Sequence, residues 1–384
     1  MGQSIVIPTL PGFAREILGS TDALIGLAIG ARHLGMMGLD VPAGVLASRL
    51  GTRKTMILGA ALFAISAFAA AASMNFGWLY AARLLTGASF ALWSISRHSF
   101  IAVTVPPEAR GKALSLFGGV SRAAMVLGPL AGGFAAEYVD IRAPFYLQGG
   151  IGLATMAFVM FSMRGMPEPT MRQHRNVLAS VGSMVATHRK VFMTAGVVAI
   201  CLQFIRQARE FIIPVWGDNV GLSEAEIGYV VATSSAIDST LFPLVGYSMD
   251  RWGRKSAGLP AFIVLSISMA FLPFADSFGL LMVAGIIAGL GNGLSSGFVL
   301  TMGADLSPKD NPSEFIGVWR LISDGGGAAG PNILGPLTGA FSLATAALVT
   351  SGVGVFGAVL LLFGVRETFR RRDEPEPRQT TRPG

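Results

Sequence analysis

Apolar residues run along this chain in long blocks, without the two-residue alternation of a half-buried strand or the narrow stripe of a surface helix. Taking about 18 or more mostly apolar positions as a candidate span, the sequence predicts eleven full-length helices. They lie near 24 to 47, 55 to 73, 78 to 104, 113 to 136, 144 to 163, 191 to 216, 227 to 249, 256 to 274, 279 to 304, 314 to 337 and 344 to 365. Helices are expected because lipid offers no partners to backbone N–H and C=O groups, and a barrel strand would need only about ten alternating residues. A shorter apolar segment, residues 1 to 13, would reach only ~20 Å and fall short of a ~30 Å hydrocarbon core. The expected fold class is therefore all-α and polytopic, with eleven full transmembrane helices and a partial first one.

The polar punctuation between blocks repeats. Gly44-Val-Leu-Ala-Ser-Arg49-Leu-Gly51-Thr-Arg53-Lys54 returns 202 residues later as Gly246-Tyr-Ser-Met-Asp250-Arg251-Trp-Gly253-Arg254-Lys255. Pro8 answers Pro214, Ile25-Gly26 answers Ile227-Gly228, and Gly119-Val-Ser-Arg122 answers Gly317-Val-Trp-Arg320. Two related halves follow, residues 1–163 and 191–365, joined by a basic linker at 164–190 and followed by a basic tail at 366–384. The repeat predicts twelve helices. About 23 residues of helix precede Pro214 but only seven precede Pro8, so a misplaced start or a truncation is expected, with a short re-entrant start as the alternative.

Composition agrees with a membrane protein, with 52% hydrophobic and 13% charged residues where soluble domains are nearer 25% charged. The loops at 48–54, 105–112, 164–190, 250–255 and 305–313, together with the tail, hold 20 Lys and Arg, and the opposite loops hold only Arg15 and Arg142. By the positive-inside rule the basic loops and the C-terminus are cytoplasmic, in a chain of the cell inner (plasma) membrane. The net charge of +7 matches anionic headgroups and calls for no nucleic acid. Cys201 stands alone, so no intramolecular disulfide forms, and His33, His98, His174 and His188 are scattered without metal-ligand spacing. No phosphate-binding loop and no nucleophile–base pair is present, so no cofactor, metal or enzymatic activity is expected.

With the duplicated loop and the helix count in hand, the chain resembles the major facilitator superfamily over its whole length. The second loop matches the family pattern through Gly246, Asp250, Arg251, Gly253, Arg254 and Lys255. The first, through Gly44, Arg49, Gly51 and Arg53, departs from it at Ser48 and Thr52. The resemblance implies two six-helix bundles, function as a monomer, and a cytoplasmic gate locked by these loops, with Asp40 in the gate's ion network. Arg83-Leu-Leu-Thr-Gly87 and Gly128-Pro129-Leu-Ala-Gly132-Gly133 resemble signatures of drug/proton antiporters, which implies a proton-transfer role for Arg83.

Charges within spans are costly, roughly 2.5 to 3.5 kcal/mol each, and therefore mark candidate chemistry. Glu210, just before Pro214, and Asp238, mid-span, are the candidate proton carriers, Asp238 alternatively pairing with Arg206 or Arg209. Arg320 and Asp324, four apart on one helix, are further proton-coupling candidates and are expected to pair with each other. Gly128, Pro129, Gly132 and Gly133, with Gly330 and Pro331 in the second half, are hinge candidates. Phe90, Trp93, Gln203, Phe204 and Asn292 are candidate pocket residues for an amphiphilic substrate. The expected function is secondary transport, proton-coupled export of small amphiphilic compounds by alternating access, with a small-molecule substrate, protons and the lipid bilayer as partners. The alternatives are a proton-coupled solute importer and a truncated, non-transporting membrane protein.

Overall fold

The computed structural model describes residues 1–163, 177–308 and 312–367; linker positions 164–176 and the tail beyond 367 lie outside them. In chain order the helices are α1 (Leu10–Leu18), α2 (Asp22–Leu50), α3 (Thr52–Ala71), α4 (Phe76–Thr104), α5 (Pro107–Tyr138), α6 (Ala143–Ser162), α7 (Val177–Thr187), α8 (Arg189–Val191), α9 (Val197–Asn219), α10 (Glu224–Trp252), α11 (Lys255–Phe271), α12 (Phe278–Leu294), α13 (Phe298–Asp305), α14 (Pro312–Ala340) and α15 (Leu343–Val359). A π-helical turn, Phe192–Gly196, joins α8 to α9, and another, Leu360–Gly364, extends α15. No strand occurs among the described residues, and the all-α expectation holds.

The apolar blocks reappear as helices, with one interruption. The block at 279 to 304 breaks between α12 and α13, where Gly297 takes the left-handed φ of +78° that disfavours a side chain. Six helical stretches among the described residues are long and apolar enough to cross a membrane. Helices α2, α4, α5, α9, α10 and α14 carry the interior charges, among them Arg32, Arg83, Arg122, Glu210, Asp238 and Asp324.

At the N-terminus the expected helix at 1 to 13 is corrected to α1 at Leu10–Leu18, preceded by turns. Pro11 sits in the first turn, where its missing N–H leaves no bond unmade. The helix ends at Gly19, φ +59°, with the Gly19 N–H on Arg15 O (3.1 Å) and the Ser20 N–H on Ala14 O (2.9 Å), a left-handed C-cap that satisfies the last carbonyls. Arg15 and Glu16 thus belong to a helical turn, not to a loop.

Within the first half α4 packs on α2 and α3, and α3 on α6; within the second α12 packs on α10 and α11, and α15 on α9 and α11. The halves meet through α2 on α14 and α5 on α10. One end of this junction is closed. A Cβ built at Gly26 would lie 2.4 Å from Gly335 Cα, and one at Gly133 2.5 Å from Glu224 O. Across the same end Arg15 pairs with Asp218 (3.0 Å), Asn219 donates to Asp22 (3.0 Å), and the Ala225 N–H donates to Glu137 (2.9 Å).

The other end, which carries both copies of the repeated loop, is open. Gly38 and Gly44 on α2, Gly118 and Gly119 on α5, Gly246 on α10, and Gly317 and Gly325 on α14 would meet nothing within 4 Å. At mid-helix Arg122 on α5 meets Asp238 on α10, 3.8 Å apart across the junction.

Candidate functional site

Helix α9 organises the centre of the junction. Gln203, Arg206, Gln207 and Glu210 stand at i, i+3, i+4 and i+7, which places them on one face of a helix, while Val198, Leu202, Ile205 and Phe211 on the remaining surface are buried in the core. Arg209 faces α10 and donates to Ser234 Oγ (2.9 Å).

Each candidate proton carrier pairs with an arginine from the opposite half. Glu210 on α9 meets Arg32 on α2 at 3.5 Å, and Arg32 also donates to His33 Nε2 (3.0 Å). Asp238 on α10 meets Arg122 on α5 at 3.8 Å. Asp238 also accepts from Asn292 Nδ2 (2.7 Å) and Ser296 Oγ (3.1 Å), and Arg122 lies 4.1 Å above the Phe242 ring. The alternative pairing of Asp238 with Arg206 or Arg209 is not made. Arg206 reaches it only through Asn292, donating to Asn292 Oδ1 (2.8 Å) and to Gln203 Oε1 (3.1 Å). Arg83, buried on α4, donates to Ala28 O (3.4 Å) and stands within electrostatic reach of Arg32 and Glu210.

Other expectations land elsewhere. Arg320 and Asp324 do not come within ion-pair distance of each other, but they stay in electrostatic reach: Asp324 feels the Arg320 charge and accepts from Gln203, and across the junction Asp40 feels both. Trp93 packs with Met56, Val159 and Met163 inside the first half, Phe204 belongs to the main core, and Phe90 is half-buried on α4. Of the five pocket candidates only Gln203 and Asn292 join the polar centre. The hinge candidates sit in continuous helices, and their missing side chains serve contact. A Cβ at Gly128 would meet Ser4 Oγ at 2.0 Å, one at Gly132 Ile5 O at 1.8 Å, and one at Gly330 Phe204 O at 3.0 Å, while Pro129 O lies 2.7 Å from a Cβ at Gly228. Pro331 is likewise interior to α14.

The repeated loops show why their glycines are needed. Gly51 and Gly253 occupy equivalent places with φ of +86° and +93°, a region that favours residues without Cβ. In the second copy Arg254 bonds Asp305 (2.7 Å) and Asp250 (3.2 Å), and the Glu367 carboxylate accepts the N–H groups of Arg254 and Lys255 (2.8 and 3.1 Å) at the start of α11. The Asp305 hydrogen bonds hold the Arg254 guanidinium above its ordinary pKa. Arg251 is exposed and donates to the Tyr247 hydroxyl. In the first copy Ser48 turns back onto Val45 O (2.7 Å), Arg53 donates to Met160 O (2.9 Å) and Arg49 is exposed. Asp305→Asn is expected to lower stability by about 1 to 2 kcal/mol, more than a fully exposed pair contributes, seen as a lower thermal midpoint of the detergent-solubilised protein.

The family is settled by sequence. The profile described as Major Facilitator Superfamily matches residues 1–216 and again 195–383. The chain belongs to the Major Facilitator Superfamily. It is a multi-pass membrane protein with the superfamily's transporter fold, and its doubled match mirrors the internal repeat. Among curated relatives it is similar to the quinolone resistance protein NorA of Staphylococcus aureus, at 26% identity over 297 residues, 76% of this chain and 74% of that one. It is similar also to the class B tetracycline resistance protein of Escherichia coli, at 28% identity over 288 residues, 71% of this chain and 69% of that one. Among solved structures a D-xylose-proton symporter superposes with a TM-score of 0.74 at 15% identity, covering 95% of this chain and 94% of that one. The nucleoside transporter NupG does so with 0.73 at 12% identity, covering 94% and 95%. At these identities the superpositions show the superfamily fold alone.

The junction also holds residues that the sequence reading did not mark as site residues. Arg32 and Arg122 were visible as buried charges, but not as the partners of Glu210 and Asp238. Gln207, on the polar face of α9, could have been found from the i, i+3, i+4, i+7 pattern alone.

Proposed function

We propose that this chain is a proton-coupled exporter of small amphiphilic compounds, working as a monomer by alternating access of two six-helix bundles in the cell inner membrane. The end with the repeated loops faces the cytoplasm, and the conformation described is open to that side. Each bundle moves as a unit about the central junction. No enzymatic step is assigned to the chain.

The observation that carries this reading is the pair of carboxylates bridged to arginines across the junction, Glu210 to Arg32 and Asp238 to Arg122. Protonating either carboxylate removes the charge that its arginine pairs with, so proton uptake weakens a bond between the bundles. That links a proton to the motion, and its free energy is the differential stability of the two conformations. The relatives named for quinolone and tetracycline resistance support export as the direction.

The test is accumulation of a panel of fluorescent lipophilic dyes, spanning both charge signs, in cells expressing the chain. The expected result is lower accumulation of at least one dye, restored by a protonophore and by Glu210→Gln. Membrane-inserted protein that leaves every dye unchanged would remove the support for export.

A further inference from the structure

The junction is cationic beyond what proton coupling requires. Five arginines stand there, Arg32, Arg83, Arg122, Arg206 and Arg209, and two of them have carboxylate partners, at 3.5 and 3.8 Å. Among the described residues no carboxylate lies within 4.0 Å of Arg83, Arg206 or Arg209. Their hydrogen bonds go to neutral acceptors: Ala28 O for Arg83, Asn292 Oδ1 and Gln203 Oε1 for Arg206, and Ser234 Oγ for Arg209. Extending the set to Arg320, Asp40 and Asp324 gives six guanidinium groups against four carboxylates, so the surplus survives the wider view.

Arg209 shows where the surplus points. It is 8% exposed, and its Nε is buried without a hydrogen-bond partner. With Glu210 it lines a cleft between the halves, walled by Ile7, Met125, Ile213 and Val231 and by Ser235. A buried guanidinium without a counter-charge is unfavourable in a membrane protein, and such groups characteristically mark substrate pathways. A cation entering this cleft would meet the Arg209 guanidinium, and Glu210 beside it already holds Arg32. An anion would supply the missing charge, and a guanidinium fork suits the planar or tetrahedral oxygens of a carboxylate or phosphate.

We infer that this chain carries small organic anions, the carboxylate or phosphate of the substrate being held by Arg209 with Arg206 and Arg83 adding to the field, and the apolar body lying against Ile7, Met125 and Ile213. This rests on the transport reading above and narrows its substrate class. The anion uses arginines that have no carboxylate within 4.0 Å, and so leaves Glu210 and Asp238 with their own partners.

Two xanthene dyes of similar frame and opposite charge test it, the anionic carboxyfluorescein and the cationic rhodamine 6G. The full chain is reconstituted in liposomes, and dye movement is followed under an imposed pH gradient. The expected result is movement of carboxyfluorescein at least about tenfold faster than rhodamine 6G. Arg209→Gln should weaken the apparent affinity for carboxyfluorescein about tenfold or more, Arg206→Gln should weaken it less, and Arg209→Lys, which keeps the charge, should recover most of it. Thermal stabilisation of the detergent-solubilised variants by carboxyfluorescein reads binding separately from transport, and size-exclusion elution reports folding. Rhodamine 6G moved while carboxyfluorescein is not would overturn the anion inference and leave the transport reading standing. Stabilisation by sodium sulfate without stabilisation by carboxyfluorescein would overturn it in favour of an inorganic ion. If folded protein moves neither dye, the transport reading fails and this inference fails with it.

Discussion

Glu210→Gln is expected to abolish concentrative transport while leaving the protein folded. A proton moving down a 100 mV potential releases about 2.3 kcal/mol, enough to hold a solute gradient of about fifty-fold. If Glu210 is the carrier, the amide in its place cannot bind and release that proton, and the steady-state ratio in proteoliposomes falls from about fifty to about one. The fall should appear in accumulation far more than in binding, because Gln keeps the shape of Glu and can still accept from the Arg32 guanidinium, which now stands 3.5 Å from Glu210 Oε2. Downhill exchange of preloaded substrate, which needs no proton, should persist. Accumulation that survives Glu210→Gln but is lost in Asp238→Asn would transfer the role to Asp238, whose hydrogen bonds to Asn292 and Ser296 tie it more tightly than Glu210. Accumulation that survives both substitutions would remove the coupling scheme.

Most of the fold was legible because lipid narrows the choices. A block such as 55 to 73 has one way to satisfy its backbone in a bilayer, and it became α3 at Thr52–Ala71. The repeat offset located the two loop glycines, and both take a positive φ, of +86° and +93°, which the spacing by itself did not indicate. The start of the chain was less legible. Helix α1 is bounded by Pro11 and the cap at Gly19, local stereochemistry that a hydropathy window averages away. The site was legible as a set of residues and illegible as a set of pairs. Glu210 and Asp238 stood out as charges that a span must account for, yet their partners come from the other half, 178 residues away for Arg32, and no periodicity connects them. Arg320 and Asp324 show the converse. Spacing alone made them a close pair, and they interact only beyond ion-pair distance, Asp324 taking its hydrogen bond from Gln203 while Arg320 is exposed. Trp93 failed as a pocket residue for a related reason, since an aromatic on a span packs within its own half as readily as it lines a cavity.

Gly26→Val should drive the transporter away from the conformation described here. At Gly26 even a Cβ would lie 2.4 Å from the Cα of Gly335 and 3.0 Å from its nitrogen. Those neighbours are backbone on α14, so no side chain can rotate aside, and the two helices must separate to make room. Overpacking of this kind costs about 1 to 3 kcal/mol, charged only to the state in which α2 and α14 touch at this end. The conformations of a carrier differ by a few kcal/mol, so the closed-end population should fall by a factor of about 5 to 150, and turnover should fall with it. Spin labels on Val139→Cys and Phe341→Cys in a Cys201→Ala background report the change directly, both sites being exposed, at 78% and 71%, on opposite halves at that end. The distance distribution should move to longer values in Gly26→Val. Gly38→Val on the same helix is the control, because nothing lies within 4 Å of a Cβ there, and it should leave the distribution in this conformation unchanged. If Gly26→Val leaves both the distances and the turnover as they were, the contact of α2 with α14 does not seal this end, and the assignment of a closed and an open end to the junction fails with it.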